Sequence, residues 1–182
     1  ITEEGLSQSL GLDVLRVAVT AQDGTWHFSQ AASGTNLGVL AGAQTVRVPP
    51  ATRWPSAAAA LQGVISWRVD NLATLAPWLP PGWRGTGQLE AGARFGGRFG
   101  APEISGTLTG SQLGARNLLQ GVDWRDGEAK VALRGQEATI ERFVIKGGNG
   151  EMQVDGSANF GPQGTAKLRL SARQFQALGR VL

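Results

Sequence analysis

Of the residue types that carry most enzyme chemistry, the chain holds few in useful company. Its single histidine, His27, follows Trp26 in a stretch that alternates like a strand, which is the setting of a structural or surface imidazole and not of a general base with partners. There is no cysteine, so no thiol nucleophile, disulfide framework or cysteine metal site is available. With one imidazole and no thiolate, neither a catalytic triad nor a histidine-rich metal site can be assembled. The carboxylates of Asp123, Asp126 and Glu128 fall close together, as the paired acids of a glycosidase would. A turn at Arg125-Asp126-Gly127 accounts for the aspartates, and outward strand alternation accounts for Glu128. Gly92 to Gly100 is rich in glycine but lacks the Gly-Lys-Ser/Thr ending of a phosphate loop, and it reads as a bend between strands. No catalytic residue, metal ligand or cofactor is assigned, and the chain is expected to be non-enzymatic.

The 17 basic residues exceed the 14 acidic ones by little, and only Lys130, Lys146 and Lys167 among them are lysine. Arginines such as Arg47, Arg68, Arg94, Arg134 and Arg169 are scattered, with no basic block to hold a phosphate backbone, which argues against a nucleic-acid partner. Hydrophobic residues make up 41% of the chain, too many for a disordered segment, while 27 glycines and 8 prolines in 182 residues are too many for a helical one. No apolar run reaches the roughly 18 residues of a membrane span, and no signal peptide is recognisable. The chain starts at Ile1 and reads as a section of a longer protein, with any anchor or export signal outside it.

What must position these side chains is a series of short strands. In Gly127 to Arg134, Ala129, Val131 and Leu133 alternate with Glu128, Lys130 and Arg134, Ala132 being the exception on the polar side. Met152, Val154, Gly156, Ala158 and Phe160 alternate with polar neighbours in the same way, as do Ala166, Leu168, Leu170 and Ala172. Ala138 to Lys146 changes phase, which a bulge near Arg142 reconciles. Gly147 to Gly150 and Gly161 to Gly164 carry turn chemistry. In the first half, Leu12 to Thr20, Thr25 to Gln30, Val39 to Val48 and Val64 to Val69 read as strands, with Leu15, Val17 and Val19 on one face. Short helices are expected over Pro55 to Leu61 and over Asn71 to Trp78, where Asn71 is the cap. An amphipathic turn or two is expected over Arg173 to Leu182, on the spacing of Phe175, Leu178 and Leu182.

Within Leu72 to Leu113, a short helix ends at Pro80-Pro81-Gly82, a strand follows, and the phrase Gly97-x4-Pro102-x3-Gly106 opens the next. Together with the strand phrases Gly127 to Leu133 and Gly150 to Gly156, this ordered series resembles the TamB family of translocation and assembly module proteins, over roughly Leu61 to Leu182. The resemblance implies an all-β fold: a long, curled, mainly antiparallel sheet forming a hydrophobic trough, a β-taco, with one to three short helices. Residues 1–182 are then a single section of that trough. It implies a periplasmic location in an envelope with two membranes, an inner-membrane anchor outside this section, and an outer-membrane barrel partner of the TamA type. The cargo it implies is phospholipid, or an unfolded β-strand client.

The expected lining is Leu15, Val17, Val19, Ala129, Val131, Leu133, Met152, Val154, Ala158, Phe160, Ala166, Leu168 and Leu170. About ten strands at about 4.8 Å each give a trough about 50 Å long. An acyl chain of about 15 methylenes costs about 12 kcal/mol to place in water, at about 0.8 kcal/mol each, so such a lining removes most of the barrier to crossing an aqueous gap. The same alternation also fits the closed core of a β-sandwich or barrel. A protein scaffold that adds strands to a sheet edge, and a surface repeat adhesin, are the other functional readings of the pattern.

Overall fold

The computed structural model describes residues 11–49, 52, 54–160 and 164–179. Ten strands form one sheet in which every strand is hydrogen-bonded to the next in sequence, all antiparallel. They are β1 (Leu12–Gln22), β2 (Thr25–Gly34), β3 (Gly38–Arg47), β4 (Ala60–Val69), β5 (Trp83–Arg98), β6 (Ala101–Asn117), β7 (Val122–Gly135), β8 (Glu137–Gly147), β9 (Gly150–Asn159) and β10 (Thr165–Arg173). The only helix among the described residues is 3₁₀, Leu72–Trp78, between β4 and β5. The fold is therefore all-β, an open curled sheet, with β1 and β10 as its two edges. That arrangement excludes a closed barrel, which would pair the edges.

Exposure tracks this openness. The chain presents 12770 Å² to solvent, against about 8,400 Å² for a compact monomer of its mass. The fully buried side chains are few. Val46, Val48, Ala59 and Leu61 form one small core, with Trp26, Phe28 and Phe95 packed against it. Val69, Val122 and Ile145 are buried at the opposite strand ends. The rest of the apolar face is covered only in part.

Curvature comes from irregularities in pairing, which concentrate in β5 to β9. Registers shift between Thr86 and Gln88, between Gly110 and Leu113, between Arg125 and Glu128, and between Lys130 and Val131. Such bulges bend the strand that carries them and increase local twist. Gly87 is the clearest case: its φ is +105, and a Cβ there would lie 2.6 Å from the Gln112 carbonyl oxygen, so only glycine fits.

Several sequence expectations are corrected here. Pro55 to Leu61 is not helical: a turn leads into β4 at Ala60, where Ala60 and Leu61 pair with Arg47 and Val46. Pairing with β3 outweighs the intrinsic preference of the alanine run. Arg125 to Gly127 is no turn but a bulge inside β7, with Asp126 at φ 51. Gly92 lies in the middle of β5, which continues to Arg98, so the glycine-rich stretch is mostly strand and the chain reverses at Phe99-Gly100. The bulge expected near Arg142 is present, with Glu141 as the extra residue between Ile140 and Arg142. Residues 161–163 of the expected last turn lie outside the described residues, as does Leu182.

The helix at Leu72–Trp78 follows the expected cap. The Asn71 Oδ1 accepts the backbone N–H of Ala73 at 3.0 Å, and Pro77 in the last turn fits a short 3₁₀ segment that has no i−4 hydrogen bond to lose there. The described tail after β10, residues 174–179, is not helical. It turns back, with the Gln176 N–H donating to the Gly147 carbonyl at 3.0 Å and the Gly179 N–H donating to that of Gly121.

Candidate functional site: an open apolar face

Residues directly opposite in a ladder share a face, so the register assigns every strand residue to one side. One row crosses all ten strands without a polar side chain. It begins Leu15, Ala32, Leu40, Trp67 and Ala91 on β1 to β5. It continues Leu108, Val131, Ile140, Gly156 and Leu168 on β6 to β10. Nine steps of about 4.8 Å make this row about 43 Å long. The adjacent row runs Val17, Gln30, Gly42, Ile65, Ala93, Gly106, Leu133, Ala138, Ala158 and Ala166, with Gln30 as its one polar member.

The register places the expected lining residues that lie on strands, all but Phe160, on this side of the sheet. Leu15, Val17 and Val19 stand on β1, opposite Ala32, Gln30 and Phe28. Ala129, Val131 and Leu133 on β7 pair with Gly110, Leu108 and Gly106. Met152, Val154 and Ala158 on β9 pair with Ala172, Leu170 and Ala166 of β10, and Leu168 pairs with Gly156. Phe160 lies just past the end of β9, exposed, with its N–H donating to the Gln136 carbonyl at 3.0 Å. Exposure is greatest at the sheet edges, 69% at Val17 and 64% at Leu168.

The central members Leu40, Trp67, Ala91, Leu108 and Ile140 were not among the expected lining. On β3 the signal is blurred, because Val39, Ala41 and Ala43 are apolar residues on the other face while Gln44 sits on the apolar one. On β5 the lining is small, Ala91 and Ala93, within a stretch whose glycines suggest a bend. Gln44 is accommodated by its side-chain N–H donating to the Val64 carbonyl at 3.1 Å.

Two segments close over one end of the apolar face. Leu72 and Leu79 of the 3₁₀ segment lie against Gly85. The returning tail brings Phe175 to Trp124, centroids 5.7 Å apart, and Trp124 meets Trp83 edge-on at 6.4 Å. The Trp124 indole N–H donates to the Ala177 carbonyl at 3.2 Å, which satisfies its polar atom.

The polar face carries the carboxylates considered above, and each has a cation. Glu128 meets Arg142 at 2.9 Å, Asp126 meets Lys146 at 3.4 Å and Asp123 meets Arg116 at 4.0 Å. Lys130 meets Glu141 at 2.9 Å, and the hydrogen bond and charge of that lysine hold the Glu141 carboxyl below its ordinary pKa. His27 projects from the same polar face, opposite Thr20 and Thr45. Among the described residues no three histidine, aspartate or glutamate side chains gather to hold a metal. The arrangement offers a long apolar surface. In comparisons with known proteins, no family model, no curated protein and no solved structure matches the chain.

Proposed function

We propose that this chain is a section of a TamB-like protein spanning the periplasm, whose apolar trough shields phospholipid acyl chains between the inner and outer membranes and supports outer-membrane protein assembly. The supporting observation is the unbroken row from Leu15 to Leu168, open to solvent at both edges. An acyl chain is about 15 Å long, half the hydrocarbon thickness of a bilayer, so the row is long enough for two end to end. Its aliphatic and small side chains bury methylenes with no preference for a headgroup. The anchor and the outer-membrane barrel partner belong to the rest of the protein in this reading.

The test is native mass spectrometry with lipid extraction, on protein purified from bacterial membranes in mild detergent. Co-purified phospholipid that is lost in Val131→Asp supports the trough. A lipid-free protein sinks it.

A second reading rests on the edges. Among the described residues β1 and β10 each have a strand on one side only, a template for strand addition. On this reading the client is an unfolded β-segment of an outer-membrane protein. Crosslinkers placed on β1 and β10 that capture such a segment favour it; capture of lipid alone favours the trough.

A further inference from the structure

At the strand ends where the 3₁₀ helix sits, three separate chain segments place apolar side chains in solvent. The β6–β7 turn presents Leu118 and Leu119, 71% and 80% exposed. Trp78 and Leu79 close the 3₁₀ segment, and Leu178 stands on the returning tail, all exposed. The segments are adjacent: a Cβ at Gly82 would lie 3.7 Å from the Leu119 Cδ1, and the Gly179 N–H donates to the Gly121 carbonyl. The tip is also held in shape. Asn117, only 2% exposed, accepts the Gln120 N–H through its Oδ1 at 3.1 Å, and the Trp78 indole N–H donates to the Asn36 carbonyl at 3.0 Å. Single exposed leucines are ordinary, but two consecutive ones on a fixed turn, with a third leucine on the tail beside that turn and an exposed tryptophan on the neighbouring 3₁₀ segment, form a patch that calls for a partner.

The charges beside the tip indicate which partner. Arg84 stands opposite Arg116 in the β5–β6 register. Arg116 shares its charge with Asp123, while Arg84 has no anionic partner among the described residues. Arg125, close by on β7, donates to the Gly148 carbonyl at 3.1 Å and has no anionic partner among the described residues. Leucines at a tip, a tryptophan at its margin and unneutralised arginines behind them match the layers of a lipid surface: hydrocarbon, interface and anionic headgroups.

We propose that Leu118, Leu119, Leu178 and Trp78 form a docking tip that inserts into the surface of an anionic lipid membrane, with Arg84 and Arg125 on the headgroups. This goes beyond the trough reading and does not rest on it, since a sheet serving protein clients would dock in the same way.

The test is co-sedimentation of the chain with vesicles of phosphatidylcholine alone and of phosphatidylcholine mixed with phosphatidylglycerol. The expected result is binding to the mixed vesicles. It falls about tenfold or more in the double variant Leu118→Ser, Leu119→Ser, falls about fivefold in Arg84→Gln, and is unchanged in Thr107→Ser, on the polar face in the middle of β6. Thermal melting checks that the double variant still folds; Leu178→Ser, on a different segment, gives the same loss independently. Absence of vesicle binding by the unaltered chain overturns the proposal, and so does full binding by both tip variants. Loss of binding in Val131→Asp alone assigns the vesicles to the trough and overturns the tip. A dimer that dissociates in the double variant, with no vesicle binding, makes the tip a contact between two copies and overturns it equally.

Discussion

Val131 and Leu168 stand in one cross-strand row of the apolar face, joined through Ile140 of β8 and Gly156 of β9. Three strand steps, about 14 Å, separate a half-buried position inside the sheet from one on its open edge. The pair therefore distinguishes damage to the sheet from damage to the trough.

Leu168→Asp is expected to leave stability within about 0.5 kcal/mol, because the side chain is largely in solvent. Val131→Asp is expected to cost about 1–3 kcal/mol, because its carboxylate enters a partly desolvated row. Both are expected to lose co-purified phospholipid. Lys167→Asp, one residue along β10 on the opposite face, reverses a charge without touching the row and is expected to keep it. Equal lipid loss in Lys167→Asp would point to a general electrostatic effect in place of a trough.

Backbone geometry gives a second expectation. Gly87 combines φ +105 with a Cβ position 2.6 Å from the Gln112 oxygen, whereas a Cβ at Gly92 meets nothing within 4 Å. Both lie on β5. Gly87→Ala is expected to lower stability by about 2–3 kcal/mol, since it adds a clash to an unfavourable dihedral. Gly92→Ala is expected to be neutral or slightly stabilising, by up to about 1 kcal/mol, through the unfolded chain. Urea unfolding of the two variants measures the difference, and equal midpoints would show that the bulge relaxes freely.

How much of this was legible in the sequence depends on what each strand puts on its second face. β7, β9 and β10 alternate apolar against polar, so the face that each residue takes was readable from the sequence. β3 and β4 carry Val39, Ala43 and Val64 on the outer face, and hydropathy cannot then say which side is in. In β5 and β6 the contact is made by Ala93 and Gly106. A Cβ at Gly106 would lie 2.2 Å from the Gly92 carbonyl oxygen, so that glycine reflects close strand packing, which composition does not reveal. The tail shows helical spacing at Phe175 and Leu178, but its backbone finds partners at Gly147 and Gly121. Those are long-range hydrogen bonds, and local periodicity carries no trace of them. The docking tip was invisible for a related reason: Leu118, Leu79 and Leu178 are adjacent only once the strands are in register.

Asn117 links the sheet to that tip. It is the one buried polar residue among those described, and its side chain caps the β6–β7 turn through the Gln120 N–H. Asn117→Ala is expected to cost about 1–3 kcal/mol by leaving that N–H without its acceptor and opening a small void. The loss should be concentrated locally, and hydrogen exchange at residues 118–121 is expected to accelerate more than in β8. Uniform acceleration across the sheet would show that the turn unfolds only with the whole.

The Lys130–Glu141 pair gives a pH-dependent expectation whose sign follows from the direction of the shift. The ammonium holds the Glu141 carboxyl below its ordinary pKa in the folded chain, so folding favours the ionised form. The contribution is complete above the unfolded-state value, near the ordinary range for glutamate, and is lost as pH falls through the lower folded-state value. Both side chains are exposed, so the effect is small and screened by salt. In low salt the unaltered chain is expected to melt above Glu141→Gln at neutral pH, and the gap should close as the solution is acidified below the usual carboxylate range. Raising the ionic strength at neutral pH should narrow the same gap. A gap that persists undiminished in strong acid would mean that residue 141 acts through the bulge it occupies in β8 and not through its charge.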